Sequence, residues 1–560
     1  MRSPSATPAF PLFLLSILLI AGCASTGEGM PDYDRLVAEL EAGRSEDWGA
    51  LDDAFLRLPD FQQRLEELGA LHERGPGPDV TPVDFAERML ALYYGDLRAH
   101  ELRHRTALAA GDAEQAAQHV RAREAIATAI GATGDGSATS PRRVLSAPQA
   151  YAWLEQQRTE VVGAFYEADD AAPSLLLVTR VRERGARLLT EQRFDLTPTF
   201  RAAAGLAAAV GGGEGPAPSQ VVATRASTGD SAAQTAHAIE LWQRGPEHAS
   251  RAVQWLQAAS EAGNLVAREM LGVIYGSLAA ARSGEDAERL LDAAVDQFLL
   301  AVGQGSSSAM YNLAQLYLSG HFGEENQPSG VALLEQAAER ENLDAVVMLA
   351  RLRYNGQFVS EDREAAVELL VSASEQGHTD ARLFYARHLL STDDGAGFDA
   401  RAYGWLDDAA RSGGSEEAMM LLGTLHADGE HAERDPELAV SWFKRAAENS
   451  SDAELVNSVA WILVVAEDRA LRDAAAGLAL MDRLMEADGR AASNPAYIDT
   501  WAAAHAAVGD FENAARLQRE ALAIAEAEET AAGTAPAYLP VLREHLELFE
   551  SGGTVTEDVP

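Results

Sequence analysis

The sequence predicts a mainly α-helical protein, in which an α-solenoid of helix-turn-helix repeats follows an N-terminal α+β domain with a small antiparallel sheet. An apolar pair followed by a pair of small residues recurs along the chain, and the first residues of successive copies are separated by 42, 36, 36, 36 and 37 positions. The copies begin at Trp255, Gln297 (a blurred copy), Leu333, Leu369, Trp405 and Trp442. A fixed period in the thirties, built from two short helical patterns, is typical of an α-solenoid.

Composition limits the function before any motif is considered. The 560 residues carry a formal net charge of −41, and 47% of them are hydrophobic, which is ample for packed cores. An acidic surface argues against nucleic-acid binding, because phosphate recognition needs a basic footprint. The glycine run at residues 211–213 lacks the lysine and the strand–turn–helix context of a phosphate-binding loop, so we expect no nucleotide site.

The N-terminus has the pattern of an export signal. An apolar run from Phe13 to Ile20 follows Arg2, and it is too short to span a bilayer. The sequence Ile20-Ala21-Gly22-Cys23 resembles the lipobox of bacterial lipoproteins. The resemblance implies cleavage after residue 22, recognition of residues 20–22 by the signal peptidase, and lipidation of Cys23, the only cysteine. Residues 23–30 would then form a lipidated tether. The alternative is an ordinary signal peptide with a chance cysteine.

The resemblance also implies a location. Ala24, rather than Asp, follows the cysteine, and in Gram-negative lipoproteins this favours the outer membrane. We therefore expect a lipid-anchored envelope protein that faces the periplasm.

Residues 31–200 predict helices followed by strands. Helical patterns cover 32–42, 85–94, 97–110, 113–130 and 148–157, whereas 143–145, 161–167, 175–181 and 188–196 are rich in β-forming residues. Gly95-Asp96 and Gly111-Asp112 combine a helix stop with an N-cap. The order of these motifs, with Thr133-Gly134-Asp135-Gly136 before the strands, resembles an uncharacterised bacterial domain that accompanies tetratricopeptide-like repeats. That resemblance implies no assigned activity.

One motif in this region requires a choice between two readings. His100-Glu101-Leu102-Arg103-His104 matches H-E-x-x-H, in which two histidines on one helical face bind zinc and the glutamate is a general base. Arg98, Arg103 and Arg105 would disfavour a cation here, and Glu124 or His119 would have to supply the third ligand. We favour a structural histidine pair at a helix–helix contact over a zinc site.

The rest of the chain divides by composition and repeat pattern. Residues 201–235 are rich in Ala, Gly, Ser and Pro, which predicts a flexible linker. In residues 236–450 the pattern Ala-x-x-x-Leu-Ala-x-x-Tyr-x-x-Gly, then Leu-Leu-x-x-Ala-Ala-x-x-x-Gly, resembles the SEL-like repeats of the tetratricopeptide superfamily. Residues 451–550 resemble a degenerate tetratricopeptide cap, and residues 551–560 are expected to be disordered.

The resemblance to SEL-like repeats also points to candidate binding residues. In related repeats the first helix of each unit lines the inner curve of the array. Carried over to this chain, that face holds an apolar ladder and a polar ladder, and the alternative is that the same residues pack against adjoining helices or face water. The apolar ladder is Tyr311, Val347, Leu383 and Met420, and the polar ladder is Gln315, Arg351, Arg387 and Thr424.

These features predict a membrane-anchored scaffold without catalytic residues or a cofactor. Its expected partners are envelope proteins or extended peptides, held along the repeat array. Two alternatives from other classes are a zinc-dependent envelope hydrolase that uses His100, Glu101 and His104, and a binder of cell-wall glycans.

Overall fold

The structure is a computed structural model, and it describes residues 33–211, 215–391, 399–429, 432–487, 491–532 and 536–559. The chain divides into two compact units, residues 1–267 and 268–560. Helices dominate both units, so the prediction of a mainly α-helical protein is confirmed. The predicted signal peptide, its recognition residues Ile20, Ala21 and Gly22, the lipidation residue Cys23 and the tether at 23–30 lie outside the described residues.

The first unit combines helices with a single small sheet. Its helices are α1 Tyr33–Glu41, α2 Trp48–Phe55, α3 Phe61–Arg74, α4 Pro82–Leu92, α5 Leu97–Ala110, α6 Ala113–Ala132, α7 Ala147–Gln156, α8 Thr197–Gly211, α9 Pro218–Ser227, α10 Ser231–Gln243 and α11 Ala249–Glu261. Its strands are β1 Arg142–Arg143, β2 Thr159–Asp169, β3 Ser174–Glu183 and β4 Thr190–Asp195. The predicted turn at Gly111-Asp112 is confirmed, because Gly111 has φ 78° and the Asp112 carboxylate accepts from the backbone N–H of Gln115.

The sheet is mixed rather than purely antiparallel. Its strand order is β1-β4-β3-β2, and β2–β3 and β3–β4 are antiparallel, whereas β1 pairs with β4 in parallel. Strand β1 has only two residues, and the chain passes through α7 and the β2–β3 hairpin before it returns beside β1. Two residues carry too little pattern to define a strand direction, so the sequence could not predict this pairing.

The stretch predicted as a flexible linker, 201–235, differs from that prediction in the structure. Most of its described residues are helical, in α8, α9 and the start of α10. Val222, Ala226 and Ala233 are buried in the same core as Trp153 and Phe194. Alanine has the highest helix propensity of all residues, so an alanine-rich stretch with apolar residues at helical spacing folds when a sheet face is available to cover it.

The second unit consists of helices in sequence-adjacent pairs. They are α12 Leu265–Ala280 (which begins just before the division), α13 Glu285–Gly303, α14 Ser307–Leu318, α15 Gln327–Ala338, α16 Leu343–Asn355, α17 Arg363–Glu375, α18 Thr379–Ser391, α19 Ala400–Arg411, α20 Glu416–Asp428, α21 Pro436–Asn449, α22 Ala453–Val465, α23 Ala474–Ala487, α24 Pro495–Ala507, α25 Phe511–Ala532 and α26 Leu539–Glu550. The pairs α14–α15, α16–α17 and α20–α21 are in close contact. The predicted solenoid of helix-turn-helix repeats is confirmed.

The first helices α14, α16, α18 and α20 begin in the same way. The side chains of Ser306, Asn342 and Ser415 accept hydrogen bonds from the backbone N–H groups of Ala309, Ala345 and Ala418, three residues later. His378 occupies the same position, and its Nδ1 accepts from the N–H of Ala381 at 3.2 Å. The alanines at this spacing are fully buried, because a larger side chain would separate the paired helices.

The facing side chains of the two helices in a pair are complementary in volume. Ala314, Ala350 and Ala386 lie in the same cores as Leu334, Leu370 and Leu406, each twenty positions further along the chain. At the equivalent place in α20 the small residue is Gly423, and its partner is Phe443. A Cβ atom at Gly423 would lie 2.4 Å from Cε1 of Phe443. Glycine therefore stands opposite the larger phenylalanine, which keeps the helix spacing constant.

The C-terminal residues also differ from their prediction as a disordered tail. Residues 551–559 follow α26 in a defined path, in which Val555 is buried and Glu557 forms a parallel bridge with Ala466. The short, polar composition of the tail predicts disorder. That prediction is wrong because the tail binds at the end of α22, almost a hundred residues away in the chain, and composition carries no information about such a distant contact.

None of the helices in the described ranges has the length and apolar character needed to cross a membrane.

Candidate interaction surface on the repeats

The first helices of four repeats present equivalent positions at a constant offset from their N-caps. We define the first-helix face as the residues two, six and nine positions after the N-cap of α14, α16, α18 and α20. These residues are Ser308, Asp344, Asp380 and Glu417; Asn312, Met348, Phe384 and Leu421; and Gln315, Arg351, Arg387 and Thr424.

The predicted polar ladder lies on this face. Gln315, Arg351 and Arg387 are exposed, and Thr424 is half-buried. Nε2 of Gln315 donates to the hydroxyl of Tyr311 at 2.7 Å, within one helix. Arg387 forms an ion pair with Glu417 of the next first helix. These side chains are accessible, so the polar half of the sequence-based prediction describes a real surface.

The predicted apolar ladder is largely part of the core. Val347 is 5% exposed and Leu383 is 6% exposed, and both belong to clusters of buried residues between helices. Tyr311 and Met420 are half-buried. Side chains at this offset of the first helices point toward the neighbouring helices, so the structure corrects the assignment of Val347 and Leu383 to a binding surface. Their role is packing.

Sequence reasoning missed the two other rows of the face. Met348, Phe384 and Leu421 are half-buried apolar residues one position beyond the predicted ladder, and Asp344 and Asp380 are exposed acids near the helix starts. The signal was present in the sequence, because both rows repeat with nearly the same step as the buried alanines. Comparison of the residues at every offset from the N-caps, rather than at a single offset, reveals both rows.

Adjacent first helices are linked across this face. The guanidinium of Arg351 lies 5.8 Å from the centre of the Phe384 ring, and the Tyr354 and Phe384 rings meet edge to face with centroids 5.2 Å apart. The hydroxyl of Tyr354 lies 3.1 Å from Nδ1 of His388. A cation held over an aromatic ring and a second ring packed against it order the centre of the face before any partner binds.

The electrostatics of the face are mixed. Burial raises the pKa of Tyr311, the carboxylates of Asp344 and Asp380 raise it further, and the charge of Arg351 acts in the opposite direction. Carboxylates, guanidinium groups and apolar side chains therefore lie close together at the centre of the array. Such a face can pair with both charges of an extended peptide while the apolar row contacts its side chains.

The H-E-x-x-H motif lies in α5 of the first unit, where its histidines are engaged within the fold. His100 is fully buried, its Nε2 donates to the carbonyl of Tyr94 at 2.8 Å, and its Nδ1 lies 3.0 Å from Nδ1 of His119. Nδ1 of His104 donates to the carbonyl of Ala116 at 3.0 Å. Burial lowers the pKa of His100 to about 4, so its ring is neutral at pH 7, Nδ1 is an acceptor and His119 is the donor.

The glutamate of the motif is also engaged. Glu101 accepts from Nε of Arg105 at 2.6 Å and forms an ion pair with Arg123 of α6. A glutamate held by two arginines is a poor general base, because the cations stabilise its ionised form. Across the described segments of the chain, no group of three or more His, Cys, Asp or Glu residues is arranged to hold a metal ion. The contacts agree with a structural histidine pair between α5 and α6, and they do not support the hydrolase alternative.

Comparison with known families identifies the repeats. The model of the Sel1 repeat matches residues 233–264, 307–342, 343–378 and 416–451. The chain contains Sel1 repeats. The matched segments cover the pairs α14–α15, α16–α17 and α20–α21, together with α10–α11 of the first unit. The α18–α19 pair carries the same buried alanine and leucine positions, although it lies between matched segments.

Solved structures with similar helical repeats include a Sel1 repeat protein from Oxalobacter formigenes, which is 21% identical over 43% of this chain and 98% of that chain, with a TM-score of 0.34. The protective antigen c5321 of uropathogenic Escherichia coli, described as having an SLR fold, is 15% identical over 90% of this chain and 98% of its own, with a TM-score of 0.36. Yeast Tom70 is 13% identical over 93% of this chain and 92% of its own, with a TM-score of 0.26. A search of curated proteins found no match to this chain.

The Sel1 repeats suggest a protein-interaction scaffold, because helical repeats of this type expose a continuous surface along stacked units. On the first-helix face, charged and apolar positions recur together in α16 and α18.

Proposed function

We propose that this Sel1-repeat protein is a lipid-anchored scaffold of the bacterial envelope, and that it binds an extended segment of a partner protein along the first-helix face. The observation that carries the proposal is the recurrence of an acid, an apolar residue and an arginine at the same three offsets of α16 and α18, with an acid and an apolar residue again on α20. Positions that repeat from helix to helix offer a peptide equivalent contacts at regular intervals, which is how helical-repeat scaffolds hold extended ligands.

The side chains define the chemistry of the partner segment. Arg351 and Arg387 are exposed cations on a protein whose net charge is −41, so they are favourable places for carboxylates of the partner. Asp344 and Asp380 would pair with basic residues of the same segment. Met348 and Phe384 lie between the charged rows and would contact its apolar side chains. We therefore expect an extended segment of mixed charge with at least one acidic residue.

The anchor is proposed from the sequence. The lipobox-like residues 20–23 support lipidation of Cys23, and Ala24 supports an outer-membrane position facing the periplasm. A Cys23→Ser variant should lose incorporation of a fatty-acid label and move from the membrane fraction to the soluble fraction of the cell. Retention of the label by that variant would contradict the anchor, independently of the binding face.

The partner-binding face is tested by crosslinking in cells. A photo-reactive amino acid in place of Gln315 should capture one envelope protein in the parent chain, and the Arg351→Glu/Arg387→Glu double variant should lose that product. The matched control is Arg289→Glu/Arg516→Glu, which makes the same charge change at exposed positions of α13 and α25, away from the face. If both double variants keep the product, or both lose it, the face does not carry the interaction.

A further inference from the structure

The C-terminal segment is bound in the manner of a peptide ligand. After α26 the chain turns at Gly552, which has φ 78°, and then runs in an extended conformation to residue 559. The N–H of Glu557 donates to the carbonyl of Val465 at 2.9 Å, and the N–H of Glu467 donates to the carbonyl of Glu557 at 2.7 Å. These bonds form a parallel β-bridge between the tail and residues 465–467, at the C-terminal end of α22.

The bridge is possible because α22 ends without a tight turn. Ala466 has φ −45° and ψ 130°, so the chain leaves the helix at this residue, and the Val465 carbonyl and the Glu467 N–H bond to the tail rather than within a helix. An extended backbone of this kind is a template for strand addition, in which main-chain hydrogen bonds supply affinity and side-chain pockets supply specificity.

Side chains make the groove selective for one sequence pattern. The indole N–H of Trp461 donates to the carboxylate of Glu557 at 2.9 Å. Nη2 of Arg472 donates to the hydroxyl of Thr556 at 3.3 Å. Val555 is buried in the core formed by α24, α25 and α26, and Val559 packs against the same core. The groove therefore binds the side chains of a valine, a glutamate two residues later and a second valine two residues after that.

Trp461 occupies a position in α22 that is equivalent to the polar ladder of the preceding repeats. It lies nine residues after Asp452, the N-cap of α22, and Gln315, Arg351, Arg387 and Thr424 have the same offset in the preceding first helices. At this offset α22, the first helix of the predicted cap, therefore holds a carboxylate from an extended segment. The groove uses other residues than the first-helix face, so either proposal can fail without the other.

We propose that the groove formed by Trp461, residues 465–467 and Arg472 is a binding site for an extended acidic segment of a partner protein with the pattern Val-x-Glu-x-Val. The tail, residues 554–559, is its built-in occupant and closes the site until such a segment displaces it. The tail is covalently attached, so its effective concentration at the groove is on the order of millimolar. If the tail sequence alone binds with a Kd of about 1 μM, a competing segment binds the closed groove about a thousandfold more weakly than the open one, so a partner segment has to bind the open groove more tightly than the tail sequence does.

The experiment uses the full chain and a version that ends at Gly553. This truncation removes the tail but keeps Ser551, Gly552 and Gly553, whose N–H groups cap α26. A fluorescent peptide with the sequence of residues 553–560 should bind the truncated protein with a micromolar Kd. It should bind the intact protein at least about tenfold more weakly, because the tail competes. Circular dichroism reports whether the truncated protein is folded.

Two single substitutions test the contact that gives selectivity. A peptide with Glu557→Ala should bind the truncated protein about tenfold more weakly, because it loses the charge-assisted hydrogen bond to the indole. Trp461→Phe in the truncated protein keeps the ring and removes the N–H, so it should weaken the parent peptide and leave the Glu557→Ala peptide nearly unchanged. Equal binding of both peptides to the truncated protein would overturn the proposal, as would a folded truncation that binds neither.

If the truncated protein does not fold, the full-length Val555→Asp variant takes its place. The buried valine holds the tail, and a carboxylate there should release it while all other residues remain. The parent peptide should then bind this variant and not the parent protein. No binding to the released variant contradicts the proposal.

Discussion

The two units of this protein bury their side chains in different ways. In the repeats of the second unit, α14 to α21, the cores lie between helices that follow one another in the chain, and partners such as Gly423 and Phe443 are twenty residues apart. In the first unit one core joins α6, α7, the sheet, α9 and α10, so that Ile126, Trp153, Phe194 and Val222 share a single cluster. This difference in the sequence separation of core contacts predicts a difference in folding cooperativity between the two units. We expect the first unit to respond to a core mutation as a whole, and the second to respond repeat by repeat.

The largest expected effect tests this difference directly. Phe194→Ala and Phe443→Ala each remove a fully buried phenylalanine, and each should cost about 3–5 kcal/mol of unfolding free energy. Hydrogen exchange should show loss of protection throughout the first unit for Phe194→Ala. For Phe443→Ala the loss should be confined to α20, α21 and their neighbours. The same spread of exchange in both variants would show that the units do not differ in cooperativity.

Acid should destabilise the first unit through His100. Burial lowers its pKa from 6.5 to about 4, so between these pH values the unfolded chain binds a proton that the folded chain does not. Stability is therefore complete above pH 6.5 and falls as the pH drops toward 4, by up to about 3 kcal/mol. Chemical denaturation at pH 7.5 and pH 5 measures this. His100→Gln cannot titrate, keeps a donor for the Tyr94 carbonyl, and should flatten the dependence.

His545 in the second unit should show the opposite sign. Burial opposes its protonation, but the hydrogen bond to the Asp499 carboxylate, 2.8 Å from Nδ1, outweighs burial and raises the pKa of His545 above 6.5. The carboxylates of Glu557 and Glu544 act in the same direction. The stabilising contribution is complete below pH 6.5 and is lost as the pH rises through the folded-state pKa.

The C-terminal helices should therefore lose hydrogen-exchange protection as the pH rises above 6.5 through the folded-state pKa of His545, with exchange rates corrected for their intrinsic pH dependence. In Asp499→Asn this loss should disappear, because the neutral amide no longer favours the protonated ring. A gain of protection in the C-terminal helices as the pH rises above 6.5 would contradict the raised pKa of His545.

The smallest expected effect concerns volume matching within one repeat. Gly423→Ala places a methyl group against Phe443 and should cost about 1–3 kcal/mol by overpacking. Adding Phe443→Leu recreates the alanine–leucine pair of the three preceding repeats and should recover most of the loss. Thermal denaturation of the two single variants and the double variant gives the coupling free energy. Additive effects would show that the two side chains do not determine the helix spacing.

Much of the fold could be predicted because its signals are local. The sequence predicts the helix at residues 97–110 with the bounds that the structure shows, since the cap Asp96 and the glycine stop Gly111 flank its apolar pattern directly. The buried alanine ladder and the helix pairs followed from the period alone. The polar ladder at Gln315, Arg351 and Arg387 followed from the period together with the resemblance to related repeats.

The candidate surface was only half predictable, because an offset on a helix does not tell which neighbour it faces. Val347 and Leu383 repeat as regularly as Arg351 and Arg387, yet the first two are buried and the latter two are exposed. One position further along, Met348 and Phe384 remain partly accessible. A shift of one residue rotates a side chain by about 100° around the helix, which is enough to move it from a surface into a core.

The sequence by itself determined that this chain is a helical repeat protein, where each repeat begins, and which small residues separate the paired helices. These properties depend on residues within about forty positions of each other, so a period reveals them. Only the tertiary structure decided that the alanine-rich stretch after residue 200 packs as helices, that His100 is neutral and engaged by His119, and that the tail binds beside Trp461. Each of these depends on burial by residues distant in the chain, and burial is a property of the folded chain as a whole.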